Sequence, residues 1–146
     1  MKDPTGTLAP ILVVPDVEKA VDTYTRVFGF EKLRYFDGNS DYVPLDRNGA
    51  QLHVMRGVQA SPNHSRAAHV ADVFLWVDEL DSLVAKARDA GLAIRRGPER
   101  YDSTPLATTE VVIEDEDGYW FCFAISHHPR SRSGVEWGVG PLTHVD

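Results

Sequence analysis

The chain repeats its own pattern, and that repeat restricts the fold more than any single motif does. "RNGAQLHVM" and "EDGYWFCFA" each run from charged or polar residues through a glycine into an apolar stretch. His53 stands four positions after Gly49, and Cys122 four after Gly118. Upstream of the first copy, "PILVV" is a short β-branched run that reads as a buried strand. "PDVEKAVDTYTRVFGF" follows as a helix, with Asp16 as N-cap and Gly29 as stop. Val17, Ala20, Val21, Tyr24 and Val27 give that helix one apolar stripe. "EKLRYF" reads as a strand, "GNSD" as a turn, and "YVPLD", "RNG" and "AQLHVM" as a hairpin. The second copy restarts with the strand "VFLWV" and the helix "DELDSLVAKARDAG". Asp78 is its expected cap, Leu80, Leu83, Val84 and Ala87 its stripe, and Gly91 its stop. "LAIRR" is a strand, "GPERYDSTPLA" a long loop, and "TTEVVIED", "EDG" and "YWFCFAI" a hairpin.

Each copy therefore has the order β-α-β-β-β, and agreement at every element marks an internal repeat. The expected fold class is α+β, with two tandem βαβββ modules over residues 7–58 and 71–127. Residues 59–70 form a polar linker and 128–146 a C-terminal tail. One helix covers one face of each curved mixed sheet. Side by side, the bare faces make a cup with the helices outside.

Alternation along the strands sorts side chains between helix face and cup. Tyr119, Phe121, Phe123 and Ile125 are uniformly large and apolar, so they face the helices, as do Leu52 and Val54. The cup then receives Ile11, Gln51, His53, Met55, Asp72, Phe74, Trp76, Trp120 and Cys122. Apolar and aromatic walls with sparse polar groups are the composition of a small-molecule pocket. Aromatic walls also hold a cation over a ring face.

The formal net charge of -7 argues against nucleic acid, which needs a basic stripe. An acidic surface suits a cationic ligand better. No apolar run is long enough to span a membrane or to make a signal peptide. The single cysteine forms no internal disulfide, so a cytoplasmic location is the expectation.

"PILVVPDVEKAVDTYTRVFGFEKL" with "RNGAQLHV", and "VFLWVDELDSLVAKARDAG" with "DEDGYWFCF", resemble the vicinal oxygen chelate superfamily. That group includes glyoxalase I, extradiol dioxygenases, and fosfomycin and bleomycin resistance proteins. The resemblance covers roughly residues 7 to 127 and is nearest to the bleomycin resistance branch. It implies a homodimer that sequesters a drug or metabolite without catalysis, as in antibiotic resistance. Phe74, Trp76 and Trp120 would stack on the ligand, with Gln51 and His53 orienting it beside Met55. Enzymes of the superfamily hold a divalent metal at positions that correspond here to Ala9, His53, Asp72 (or Ala71 in the other register) and Cys122. Alanine cannot bind a metal, so no cofactor is expected. The alternative is a lyase, isomerase or dioxygenase with one zinc, iron or manganese ion on His53, Asp72 and Cys122. A third reading makes the cup a protein interface of an immunity or regulatory partner.

Other candidates have plainer readings. "HHP" at residues 127–129 reads as a strand exit, and "EDED" at 114–117 as a solvated hairpin corner. The loop that carries Tyr101 reads as a surface loop or a lid over the cup, and the tail with Trp137 as a docking segment.

Overall fold

The computed structural model describes residues 6–33, 40–62, 71–102 and 107–127. The expected strand residues Arg34, Tyr35 and Phe36, most of the linker, part of the long loop, and the tail with Trp137 lie outside them.

The first module comprises β1 (Ile11–Val14), α1 (Val17–Arg26), β2 (Glu31–Lys32), β3 (Tyr42–Arg47) and β4 (Ala50–Arg56). The second comprises β5 (Val73–Trp76), α2 (Asp81–Asp89), β6 (Ala93–Tyr101), β7 (Thr108–Glu114) and β8 (Trp120–Ser126). Their sheets have matching orders, β1-β4-β3-β2 and β5-β8-β7-β6. In each, the first strand runs parallel to the last and the other neighbours are antiparallel. The duplication read from the sequence is thus present as two mixed four-stranded sheets, which do not close into a barrel.

Local chemistry explains the element ends. The Asp16 carboxylate accepts the Lys19 amide at 3.1 Å, supplying one of the partners that a helix start lacks. At the other end the Val27 and Phe28 amides both donate to the Thr23 carbonyl, and Arg47 Nε donates to the Phe28 carbonyl at 3.0 Å. Asn48 and Gly49 both take positive φ, 53° and 93°, at the tip of the β3–β4 hairpin. A two-residue turn of that hand matches the strand twist, and Asn-Gly is the pair that adopts it at least cost.

Two boundaries differ from the sequence expectation. Helix α2 starts at Asp81 rather than beside Asp78, and Glu79 supplies the cap by accepting the Ser82 amide at 3.0 Å. Leu80, expected on the helical stripe, is the buried N-cap residue. Strand β6 runs to Tyr101, through residues expected to be loop. Its pairing with β7 shifts register after Ile94 and again after Arg96. A strand interrupted by Gly and Pro carries loop-like composition yet keeps its ladder by such irregularities. Gly97 is required there: a Cβ would sit 2.2 Å from the Glu110 carbonyl oxygen.

The helix-side faces of both sheets contribute to one hydrophobic core. Leu12, Val14, Leu45, Leu52 and Val54 enter from the first sheet, and Val111, Ile113, Phe121 and Phe123 from the second. Helix α1 packs on β3 and β4 and also reaches across. The Phe28 ring lies 4.7 Å from Phe121 and 5.0 Å from Phe123, and Tyr24 lies 5.1 Å from Phe121.

Polar contacts fasten the same junction. Tyr24 Oη donates to Asp115 Oδ2 at 2.5 Å, and Thr23 donates to the Glu116 carboxylate. The Tyr119 hydroxyl donates to the Val13 carbonyl at 2.6 Å and accepts the Ser61 amide. The "EDED" turn is therefore not a wholly solvated corner. Asp115 is only 4% exposed and ties the hairpin turn to α1.

Candidate ligand-binding site

With the core between the modules, the opposite face of each sheet points away from it. Parity and register place Ile11 and Val13 of β1, Gln51, His53 and Met55 of β4, and Tyr42, Pro44 and Asp46 of β3 on the outer face of the first sheet. Phe74 and Trp76 of β5 pair with Cys122 and Ala124 of β8 on the outer face of the second. All the cup residues expected from the sequence therefore lie on these two faces or, for Asp72, just before β5. The faces are open in the single chain: Ile11 is 52%, Met55 42%, Phe74 50% and Trp76 40% exposed.

On the first face His53 is the hub. Tyr42 Oη lies 2.5 Å from Nδ1, and Gln51 Oε1 lies 3.1 Å from Nε2. The amide oxygen only accepts, so Nε2 carries the proton, and the phenol donates to Nδ1. The Tyr42 ring meets the imidazole edge-on at 5.4 Å. Burial pulls the His53 pKa below its ordinary value, which favours the neutral ring.

The second face has an aromatic rim above a polar floor. Phe74 and Trp76 meet edge-to-face at 5.1 Å. Below them Cys122 is 2% exposed, and its thiol contacts Glu110 at 3.5 Å. Glu110 also accepts from Thr108 and lies 3.5 Å from Arg96. Arg96 donates to the Tyr101 hydroxyl, which donates in turn to Glu99. Trp120 Nε1 donates to Glu114 at 2.7 Å, and Arg95 grips the same carboxylate. Alternation of apolar and polar residues gave no hint of this network, because Arg96 ends the stretch read as a strand whereas Glu99 and Tyr101 lie on the stretch read as a loop.

Within the single chain the three residues of the metal alternative are not brought together. His53 belongs to the first sheet and Cys122 to the second, Asp72 lies just before β5, and no three His, Cys, Asp or Glu side chains are grouped for a metal among the described residues. Both His53 nitrogens are engaged, and the Asp72 carboxylate accepts the Trp120 amide at 2.8 Å. Burial, then the Glu110 carboxylate, push the Cys122 thiol up to about 12, whereas a metal takes the thiolate. The remaining positions read from the sequence have quieter roles. His127 bonds Thr109 at 2.7 Å, and Tyr101 ends β6 instead of riding on a lid.

Comparison with known proteins fits this architecture. The family model "Glyoxalase/Bleomycin resistance protein/Dioxygenase superfamily" matches residues 6–123. The chain belongs to that superfamily. A glyoxalase/bleomycin resistance protein/dioxygenase from Alicyclobacillus acidocaldarius superposes with TM-score 0.64 at 16% identity, over 89% of this chain and 98% of that one. TioX from Micromonospora sp. ML1 gives 0.62 at 23%, covering 82% and 98%. The fosfomycin resistance protein FosX from Listeria monocytogenes gives 0.61 at 15%, covering 86% and 92%. At such identities the likeness is one of fold. None of the curated proteins compared with the chain matches it. No helix among the described residues is long and apolar enough to cross a membrane.

Proposed function

We propose that this is a non-catalytic, cytoplasmic binding protein that sequesters a small aromatic or cationic drug or metabolite, as a bleomycin resistance protein would. The observation that carries the reading is the pair of outward sheet faces. Ile11, Met55, Phe74 and Trp76 remain exposed there, beside the His53 and Arg96 polar clusters. Isolated apolar side chains on a surface need no explanation, but a grouped set beside convergent polar groups is the signature of an interaction site.

The pocket is closed, in this reading, by a second copy. β1 and β5 are edge strands, each next to the exposed side chains of its own face. A twofold dimer brings the first face of one protomer against the second face of its partner and covers both edges. Two equivalent grooves result, each with a His53 wall and a Trp76 wall. Stacking and burial supply affinity there without any preference for a transition state, which gives binding and no turnover.

The test joins two measurements. Sedimentation is expected to show a dimer. N-methylquinolinium is expected to quench tryptophan emission saturably, with about tenfold weaker affinity in Trp76→Ala, as for loss of one aromatic wall contact worth about 1.4 kcal/mol. A monomer at all concentrations, or no saturable response across a panel of aromatic ligands, would count against the proposal.

A further inference from the structure

On the outer face of the second sheet the ladder sets side chains in two rows across the strands. Phe74, Cys122, Val112 and Arg96 form one row, and Trp76, Ala124, Glu110 and Glu99 the next. One side of the face is therefore aromatic and the other charged, with Cys122 and Ala124 as short residues between them. Neighbouring strands lie about 4.8 Å apart, so the two steps from Trp76 to Glu110 span roughly 10 Å. A flat two-ring molecule lying across β8 reaches from one side to the other.

We propose that this face selects neutral aromatic ligands carrying a carbonyl oxygen beside an N–H on one edge, as in a lactam, with Arg96 donating to the oxygen and Glu110 accepting from the nitrogen. This rests on the outer faces being the binding surface. The two side chains are neighbours: Arg96 Nη1 lies 3.5 Å from Glu110 Oε1, and the side chains keep 21% and 15% of their surface exposed. A guanidinium donates from all its nitrogens. Nη1 engages Tyr101 and Glu110, and even with a further donor turned to the Cys122 thiol, donors on Nε and Nη2 remain for a ligand. A carboxylate has about four acceptor positions. Thr108, the Cys122 thiol and Arg96 occupy three of those on Glu110. The pair thus offers a donor next to an acceptor. Its opposite charges offset each other, so neither an anion nor a cation gains from both groups. A neutral edge with acceptor beside donor does, and both of its hydrogen bonds are charge-assisted.

Calorimetry on the parent protein compares 2-quinolinone with coumarin, which keeps the shape and the carbonyl but has a ring oxygen in place of the N–H. The lactam is expected to bind about tenfold tighter, the effect of one hydrogen bond to a charged group, because coumarin turns a lone pair toward the Glu110 carboxylate. In Glu110→Ala the ratio is expected to fall to about one, and in Arg96→Met coumarin is expected to bind about fivefold more weakly. Near-UV circular dichroism checks that both variants are folded, and the ligand comparison in the parent protein decides the matter where a variant is not. N-methylquinolinium is the control for the groove itself. Equal affinities for the two neutral ligands overturn the edge recognition and leave an unselective aromatic site. A tenfold preference that persists in folded Glu110→Ala, or unchanged coumarin affinity in folded Arg96→Met, overturns the assignment to this pair. Binding of N-methylquinolinium with neither neutral ligand bound overturns the selectivity for neutral molecules. No binding of any of them overturns the groove as the ligand site, and the selectivity with it.

Discussion

Phe28→Ala is expected to destabilise the folded chain by about 3–5 kcal/mol, the range for deleting a fully buried aromatic ring. The reason is where the ring sits. Phe28 is wholly buried and lies against Tyr24, Phe121 and Phe123, so it belongs to the seam between the modules as much as to either of them. The cavity left behind would be walled by two sheets and a helix, none of which can move inward without breaking contacts elsewhere. Chemical denaturation at fixed protein concentration gives the number. It should also show one transition for the whole chain, because a shared core couples the repeats. A loss below about 1 kcal/mol, or two separate transitions in the parent protein, would mean that the modules are stabilised independently.

That seam marks the boundary of what the sequence could disclose. Within a strand, alternation fixes the face: Leu12, Val14, Leu52 and Val54 enter the core, whereas Ile11, His53 and Met55 do not. The N-cap at Asp16 and the Asn48-Gly49 turn are equally local and equally legible. What the single chain does with its outer faces is a tertiary matter, and no local period encodes whether a face is closed by the same chain or a second one. The extension of β6 was hidden because Gly97 and Pro98 carry the composition of a loop. Asp115 was misread for a similar reason. Four successive acidic residues at a turn look solvated, and the partner that buries Asp115 lies in α1, in the other module. One signal was available: Tyr24 sits on the buried stripe, and a buried phenol needs a hydrogen-bond partner. The partner had to be sought among the polar residues, and Asp115 is the one that fills the role.

Asp115 yields the second large effect, in the dependence of stability on pH. Its carboxylate accepts from Tyr24 Oη and from the Asp117 and Tyr119 amides, all of which favour the charged form. Burial outweighs them and pushes the carboxyl from 3.8 up to about 6. Tyr24 is itself held well above its ordinary pKa, by burial first and by Asp115 next, so it remains a donor throughout. Because the folded chain holds this proton more tightly than the unfolded chain does, the contribution to stability is complete below about 3.8. It is lost as pH rises through about 6, and amounts to about 3 kcal/mol in all. Burial also raises Asp117, so it acts in the same sense, whereas Glu79, lowered by its bonds to Ser82, acts in the opposite one. Subtracting a variant isolates Asp115 from both. In Asp115→Asn the amide oxygen can keep the two backbone donors and the amide nitrogen can donate to the Tyr24 oxygen, which leaves the buried phenol hydrogen without its acceptor, so the variant is weaker at every pH but has no titration at this site. Unfolding free energies measured from pH 4 to pH 7 at one protein concentration should therefore diverge. The parent loses about 3 kcal/mol relative to the variant as the pH rises across that window. Parallel curves would mean that Asp115 is solvated and that the clasp between turn and helix does not form.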